Sequence, residues 1–255
     1  MDLLLLTCTV NPLQQPDLVI SDRATRLNHY VNTISMWIKS TRTSGVEIWV
    51  LENSGSIESL SSRIKLDPVD TRRVKFISTT KDEVSSFQGK SAGEFAMIKS
   101  VLTLIEESGH RNIAKVTGRL FVTNWRKCIE KSGDFHFMSA RFWKPQHLVD
   151  TRFFFASASF FSKVFSSEVS FIPSRTTENH SGWEPYLSME HYLTERSMLF
   201  EAQSWIIKSF PVVPLYRGIS ASTGKRLDLR NSTLRIKVSN LLRKTAIKFL
   251  AGSTP

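Results

Sequence analysis

The stretch Asn112-Ile113-Ala114-Lys115-Val116-Thr117-Gly118-Arg119 decides how the rest of this chain reads. Its apolar and β-branched residues predict a short buried strand, and Thr117-Gly118-Arg119 predicts a turn at the strand's carboxyl end. Lys115 and Arg119 place two cations around a glycine that permits close backbone approach, an arrangement suited to a nucleotide phosphate. The same residues also suit a surface turn with two solvated cations.

Elements of alternating type lie before this strand. Leu3–Val10 is an apolar run stopped by Asn11-Pro12, which predicts a buried strand. Leu27, Tyr30, Val31, Ile34, Trp37 and Ile38 recur at helical spacing and predict a helix over 23–39. Val46–Leu51 predicts a second strand, ended by the turn signal Glu52-Asn53-Ser54-Gly55, and Val74–Ser78 a third. Phe95, Ile98, Val101, Leu102 and Ile105 predict a helix over 93–107, closed by Gly109. This order predicts an α/β domain with a mainly parallel sheet. Ligands of such sheets bind beyond the carboxyl ends of the strands. The polar residues at those ends are Thr7 and Thr9, then Glu52 and Asn53, then Lys115 to Arg119.

The second half is aromatic. Phe135–Phe142 and Phe153–Phe161 alternate like strands, with Asp150-Thr151-Arg152 between them. Glu184–Leu199 reads as a helix, and Trp205–Val213 as a late strand.

Composition bounds the rest. The 255 residues are 41% hydrophobic and 22% charged, a balance that supports a folded core and excludes a disordered chain. Two cysteines, Cys8 and Cys128, are too few and too far apart for a disulfide framework, which predicts a reducing compartment. The run Leu3–Leu6 lacks the basic flank of a signal peptide, and no segment approaches the roughly 20 apolar residues of a membrane span. The net charge of +11 predicts an anionic partner, and the charge is uneven. From Arg217 onward there are nine basic residues against Asp228 alone, so 217–255 carries +8 of that charge. Leu234, Val238, Leu241, Leu242 and Phe249 share a helical face flanked by Lys237, Lys244 and Lys248, which predicts a basic amphipathic tail. Such a helix suits an anionic membrane surface, and equally suits docking on its own domain. The cluster lacks interleaved aromatic residues, so no nucleic acid is expected. The division is therefore a domain over 1–216 and a basic helical tail over 217–255.

The common enzyme motifs are absent. There is no phosphate-binding P-loop, no dinucleotide fingerprint, no paired-cysteine zinc site and no nucleophile elbow. Gln88-Gly89-Lys90-Ser91-Ala92-Gly93-Glu94 is a glycine-punctuated loop entering a helix. It suits a phosphate seat, or a plain capping box in which Ser91 caps and Glu94 completes it.

A first strand with a polar end, the loop Gly89-Lys90-Ser91-Ala92-Gly93-Glu94, and the strand Ile113 to Leu120 together resemble bacterial glycosyltransferases of surface-polysaccharide assembly. The resemblance spans residues 1–200 and implies a single GT-A-like (Rossmann-like) nucleotide-sugar-binding domain. It implies transfer of a sugar from a nucleotide-sugar donor to a glycan or lipid-linked acceptor, at the inner, cytoplasmic face of the membrane. Thr7, Thr9, Glu52 and Asn53 would then line base and ribose, with Thr117 and Gly118 beside them. Lys90, Lys115, Arg119 and Arg152 would face the donor phosphates. Asp150 takes the place of the family's acidic metal motif, but Arg152 stands where a second acid is expected. The resemblance therefore implies either manganese or magnesium held by Asp150, or no required cofactor, with cations stabilising the leaving group directly. Glu190, Glu184 and His191 are the candidates for the general base of an inverting transfer, Glu190 foremost. Trp183 would stack on a sugar. The contrasting expectation is a non-catalytic basic module that binds an anionic polymer or membrane, for which Lys115, Arg119 and Asp150 would be dispensable.

Overall fold

The computed structural model describes residues 1–12, 18–79, 90–130, 133–141, 149–169, 188–220 and 223–227. Its centre is a seven-stranded sheet. The strands are β1 (Leu3–Cys8), β2 (Glu47–Glu52), β3 (Val74–Ser78), β4 (Asn112–Thr117), β6 (Phe137–Arg141), β7 (Val149–Ser157) and β8 (Ile207–Ser209). They lie in the order β3-β2-β1-β4-β7-β6-β8. β1 pairs in parallel with β2 and β4, and β2 with β3, while β7 runs antiparallel to both β4 and β6. A second sheet joins β5 (Leu120–Val122), β9 (Tyr216–Ile219) and β10 (Arg226–Leu227).

Burial on both faces explains the continuous leucine run of β1. Leu4, Leu6 and Cys8 pack with Tyr30, Ile34 and Trp37 of α1 (Arg23–Thr41). Leu3 and Leu5 pack on the other face, with Phe95 and Ile98 of α4 (Lys90–Lys99) and Ile105 of α5 (Leu102–Glu107). The short helices α2 (Ile57–Ser61), α3 (Pro68–Arg73) and α6 (Trp125–Ile129) lie in the connections between strands. α7 (Ala158–Phe165) and α8 (Met189–Ala202) complete the second face. The indole N–H of Trp37 donates to the Leu120 carbonyl at 2.9 Å, which ties α1 to the second sheet.

The expected α/β class holds, and several element boundaries change. The single helix expected over 93–107 is two. Val101 leaves helical geometry (φ −111°, ψ 7°), so α4 and α5 bury their apolar faces along separate axes. The strand expected over 153–161 ends at Ser157, whose hydroxyl caps α7 by accepting from the Phe160 N–H at 3.2 Å. Phe160, Phe161, Val164 and Phe165 have helical spacing that the alternation reading hid. Asp150-Thr151-Arg152 lies inside β7 and not between strands. The expected domain end at 216 falls within β9, so Arg217 to Ile219 belong to a sheet and not to a separate tail. The amphipathic stretch beyond 227 lies outside the described residues, as do Glu184, Trp183 and the loop before Lys90. Among the described residues no helix is long and apolar enough to cross a membrane.

Candidate anion-binding cleft

The chain leaves β1 toward β2 on one side and later returns to β4 on the other. The strand order therefore reverses between β1 and β4, and in open α/β sheets the crevice at such a reversal is where ligands sit. A cleft opens there. Thr7 and Thr9 line it from the end of β1, Thr117 and Arg119 from the end of β4, Arg26 and Tyr30 from α1, and Lys90, Glu94 and Met97 from α4. Pro12 and Leu18 add an apolar rim.

Two guanidinium groups dominate its charge. Arg26 is 3% exposed and Arg119 is 4% exposed. Arg26 donates to the Thr9 carbonyl through Nε at 2.8 Å, to the Ile20 carbonyl at 3.1 Å and to the Tyr30 hydroxyl at 3.3 Å. It thus closes the β1–α1 connection with neutral acceptors. Arg119 donates to the Ile219 carbonyl of β9 at 3.4 Å, and its Nε has no hydrogen-bond partner among the described residues. Both guanidiniums lie 5.8 Å from the centroid of the Tyr30 ring. Neither forms an ion pair with a carboxylate among the described residues. Their field reaches His29, whose pKa is lowered by burial first and then by Arg119 and Arg26. Lys90 is exposed at the rim.

Two glycines fix Arg119 in place. Gly118 donates its N–H to the Thr7 carbonyl at 2.9 Å, and a Cβ there would meet Cys8 Sγ at 2.6 Å. The close approach foreseen at this glycine is therefore to β1 and not to a ligand. Gly218 of β9 has φ +144°, and a Cβ would lie 2.2 Å from the Arg119 carbonyl oxygen.

The neighbouring charges are satisfied internally, and this corrects several expectations. Lys115 does not face donor phosphates. It is fully buried, pairs with Glu94 Oε1 at 2.6 Å and donates to the Thr151 carbonyl at 2.8 Å. Glu94 does not complete a capping box either. Its Oε1 also accepts from Thr7 Oγ1 at 2.6 Å. Burial opposes the charge of Glu94, but Lys115 and Lys90 outweigh it and hold the carboxyl below its ordinary pKa. Glu52 does not line a ribose site. It is fully buried and accepts backbone N–H bonds from Val10 at 3.1 Å, Ser54 at 3.0 Å and Ser56 at 2.7 Å. Asn53 is buried behind the cleft and accepts from Thr9 Oγ1 at 2.8 Å.

Asp150 fits a metal poorly. Its oxygens accept from Arg152 Nε at 2.9 Å and Nη2 at 2.7 Å, from the Arg152 backbone N–H at 3.0 Å and from the Tyr216 hydroxyl at 2.9 Å. The Arg152 guanidinium lies 4.4 Å from the Tyr216 ring centroid. Burial works against the charge of Arg152, yet the bonds to Asp150 prevail and raise its pKa. Burial, then Asp150, raises that of Tyr216, which keeps its hydroxyl a donor. Among the described residues no group of three or more His, Cys, Asp or Glu could hold a metal ion. Glu190, in the first turn of α8, is half-buried and accepts from Thr151 Oγ1 at 2.5 Å, and its charge acts on both Lys90 and Arg152. His191 Nδ1 lies 3.0 Å from the capping Ser188 hydroxyl, which gives it a local helix-end role. Burial pushes the thiol of Cys8 up and that of Cys128 to about 12, so neither supplies a thiolate.

The sequence reading missed Arg26, Tyr30 and Glu94. Their signal was a charged or polar group on an otherwise apolar helix face. Arg26 shares the face of Leu27, Tyr30 and Ile34, and Glu94 lies among Ala92, Phe95 and Ile98.

No protein-family model matches this chain, and no curated protein matches it. Among solved structures it is similar to one described as a nucleotide-diphospho-sugar transferase of Desulfovibrio desulfuricans, at 8% identity and a TM-score of 0.49, over 82% of this chain and 79% of that one. It is also similar to the glycosyltransferase GlyE of Streptococcus pneumoniae, at 11% identity and a TM-score of 0.46, over 82% of this chain and 46% of that one. A Bacillus anthracis chain described as a glucose-1-phosphate thymidylyltransferase is covered over 94% of both chains, at 10% identity and a TM-score of 0.45. The chain spans 60% of the galactosyltransferase LgtC. Function is therefore read from the side chains of the cleft and not from these likenesses.

Proposed function

We propose that this chain is a nucleotide-sugar-dependent glycosyltransferase. The observation that carries the reading is the pair Arg26 and Arg119: two almost wholly buried guanidiniums at the β1–β4 crevice with no carboxylate partner among the described residues. Burying an unanswered cation costs several kcal/mol, and a bound anion offsets that cost. The diphosphate of a nucleotide-sugar supplies the charge. Thr117 offers a hydroxyl to it, the Thr7 and Thr9 hydroxyl oxygens, whose protons go to Glu94 and Asn53, can accept from the ribose, and Pro12, Leu18 and Tyr30 offer an apolar wall to the base.

In the transfer the bond between the sugar's anomeric carbon and the phosphate oxygen breaks, and its electron pair leaves with the nucleotide. The acceptor hydroxyl oxygen forms the new bond to the anomeric carbon and gives up its proton. Glu190, whose charge acts on both Lys90 and Arg152, takes that proton in an inverting transfer. Arg119 and Lys90 meet the charge gathering on the leaving phosphate. We assign the acceptor to the glycan or lipid-linked class, with the basic stretch from Arg217 holding the enzyme at the inner membrane face. This assignment rests on the resemblance to surface-polysaccharide glycosyltransferases and on the charge of that stretch.

A thermal-shift screen against UDP, GDP, CMP and dTDP tests the reading. A nucleotide at 100 times its Kd stabilises the fold by about 2.7 kcal/mol. One nucleotide is expected to raise the midpoint, and Arg119→Gln to abolish that rise. A cooperative melt that no nucleotide moves would overturn it.

A further inference from the structure

The donor reading leaves open what neutralises the diphosphate. The resemblance leaves two answers, a divalent cation held at Asp150 or side-chain cations in its place, and the side chains at Asp150 favour the second. Asp150 is 2% exposed, and four donors already occupy its oxygens: three from Arg152 and one from Tyr216. A metal ion would have to displace the Arg152 guanidinium and the Tyr216 hydroxyl from those oxygens. A single carboxylate already committed in this way is a weak ligand for a hard cation. The cleft has the opposite character. Arg119 keeps an unpartnered Nε in a 4% exposed side chain that lines it. Arg26 brings a second buried charge, pinned by the carbonyls of Thr9 and Ile20. Lys90 adds a third from the rim.

We propose that side-chain cations replace the divalent metal: Arg119 and Arg26, with Lys90, bind the nucleotide diphosphate and hold its charge as the sugar departs, while Asp150 is committed to Arg152. This rests on the donor reading above. No step requires a metal ion, because the electron pair that leaves with the phosphate oxygen is met by N–H donors already in place.

Calorimetric titration of the full chain with UDP, GDP, CMP, dTDP and inorganic pyrophosphate, in excess chelator and again in excess manganese, tests it. The nucleotide that binds is expected to do so with a Kd within about threefold in the two buffers, well under one tenfold step of affinity. Arg119→Gln is expected to weaken binding by about ten- to a hundredfold in both, as the loss of one hydrogen bond between charged groups does. Lys90→Gln, at an exposed position that leaves the fold intact, is expected to weaken it by about tenfold. Binding that requires manganese and is lost in Asp150→Asn would overturn the inference and leave the donor reading standing. No nucleotide binding in either buffer would overturn both. A folded Arg119→Gln that binds as the unsubstituted chain does would overturn the assignment of the cleft.

Discussion

One edge of one sheet treats buried charge in two ways. Around the start of β7 the buried charged groups have an answer: Lys115 has Glu94, and Asp150 has Arg152 and Tyr216. Across β4, at the end of β1, Arg26 and Arg119 are nearly as buried, and among the described residues they meet carbonyls, a hydroxyl and the Tyr30 ring and no carboxylate. Both regions bear the cost of taking ions out of water. In the first, that cost is offset within the chain, and the result is rigidity. In the second, it is left open, and on the proposed function a bound anion offsets it. Burial alone therefore does not mark a functional charge.

The sharpest way to break this comparison is to open the closed side. Glu94→Ala leaves Lys115 fully buried without its carboxylate, and the expected loss is about 3–5 kcal/mol in urea unfolding. Replacing both partners, Glu94→Leu with Lys115→Met, is expected to recover most of it, since an apolar pair carries no desolvation cost. The pair also sets an acid limit. The Glu94 carboxyl is held below its ordinary pKa, so its contribution is complete above the unfolded value of about 4.3 and is lost as pH falls through the lower folded one. Glu94→Gln should flatten that part of the pH–stability curve. A Glu94→Ala variant as stable as the parent would show that the two regions do not differ as described.

Asp150→Ala probes the same region where it meets solvent. Arg152 is 36% exposed at its side chain, and water answers part of its charge once Asp150 is gone. The expected loss is about 2 kcal/mol, below that of Glu94→Ala. The smallest effect belongs to the open side. His29 titrates below an ordinary histidine because of burial, Arg119 and Arg26. Its neutral form is favoured in the folded state, so its contribution to stability is lost as pH falls below the unfolded value of about 6.5. Arg119→Gln, or saturation with the nucleotide, should move its titration upward in a histidine NMR experiment. A His29 resonance that ignores the nucleotide would place the anion elsewhere.

The sheet was legible because its strands are apolar runs bounded by turn residues, as at Leu3–Cys8 and Asn112–Thr117. The crevice followed from the order of the elements. The partners did not follow, because pairing acts over distances that local spacing cannot see. Glu94 meets Thr7 from 87 residues away. Read locally, Glu94 resembles a capping residue and Lys115 a solvated strand-end cation. Arg26 was hidden in a stripe of apolar residues, where a helix-face reading passes over it. Ser157 was missed for a similar reason: a hydroxyl between two phenylalanine runs looks like strand alternation until it caps α7. Of the site, Thr7, Thr9, Lys90, Thr117 and Arg119 were named from sequence and line the cleft, while Lys115, Glu52 and Asp150 were named and prove to be internal braces.

The contact between β9 and Arg119 bears on the order in which the protein is made. Arg119 is aimed by the Ile219 carbonyl and by Gly218, whose lack of a side chain lets β9 close over the Arg119 backbone. β1, β4, α1 and α4 all emerge from the ribosome before residue 118, so the walls of the crevice can assemble early. The Ile219 carbonyl to which the Arg119 guanidinium donates follows a hundred residues later. A nascent chain halted before Tyr216 would carry the walls of the crevice without the β9 contact to Arg119.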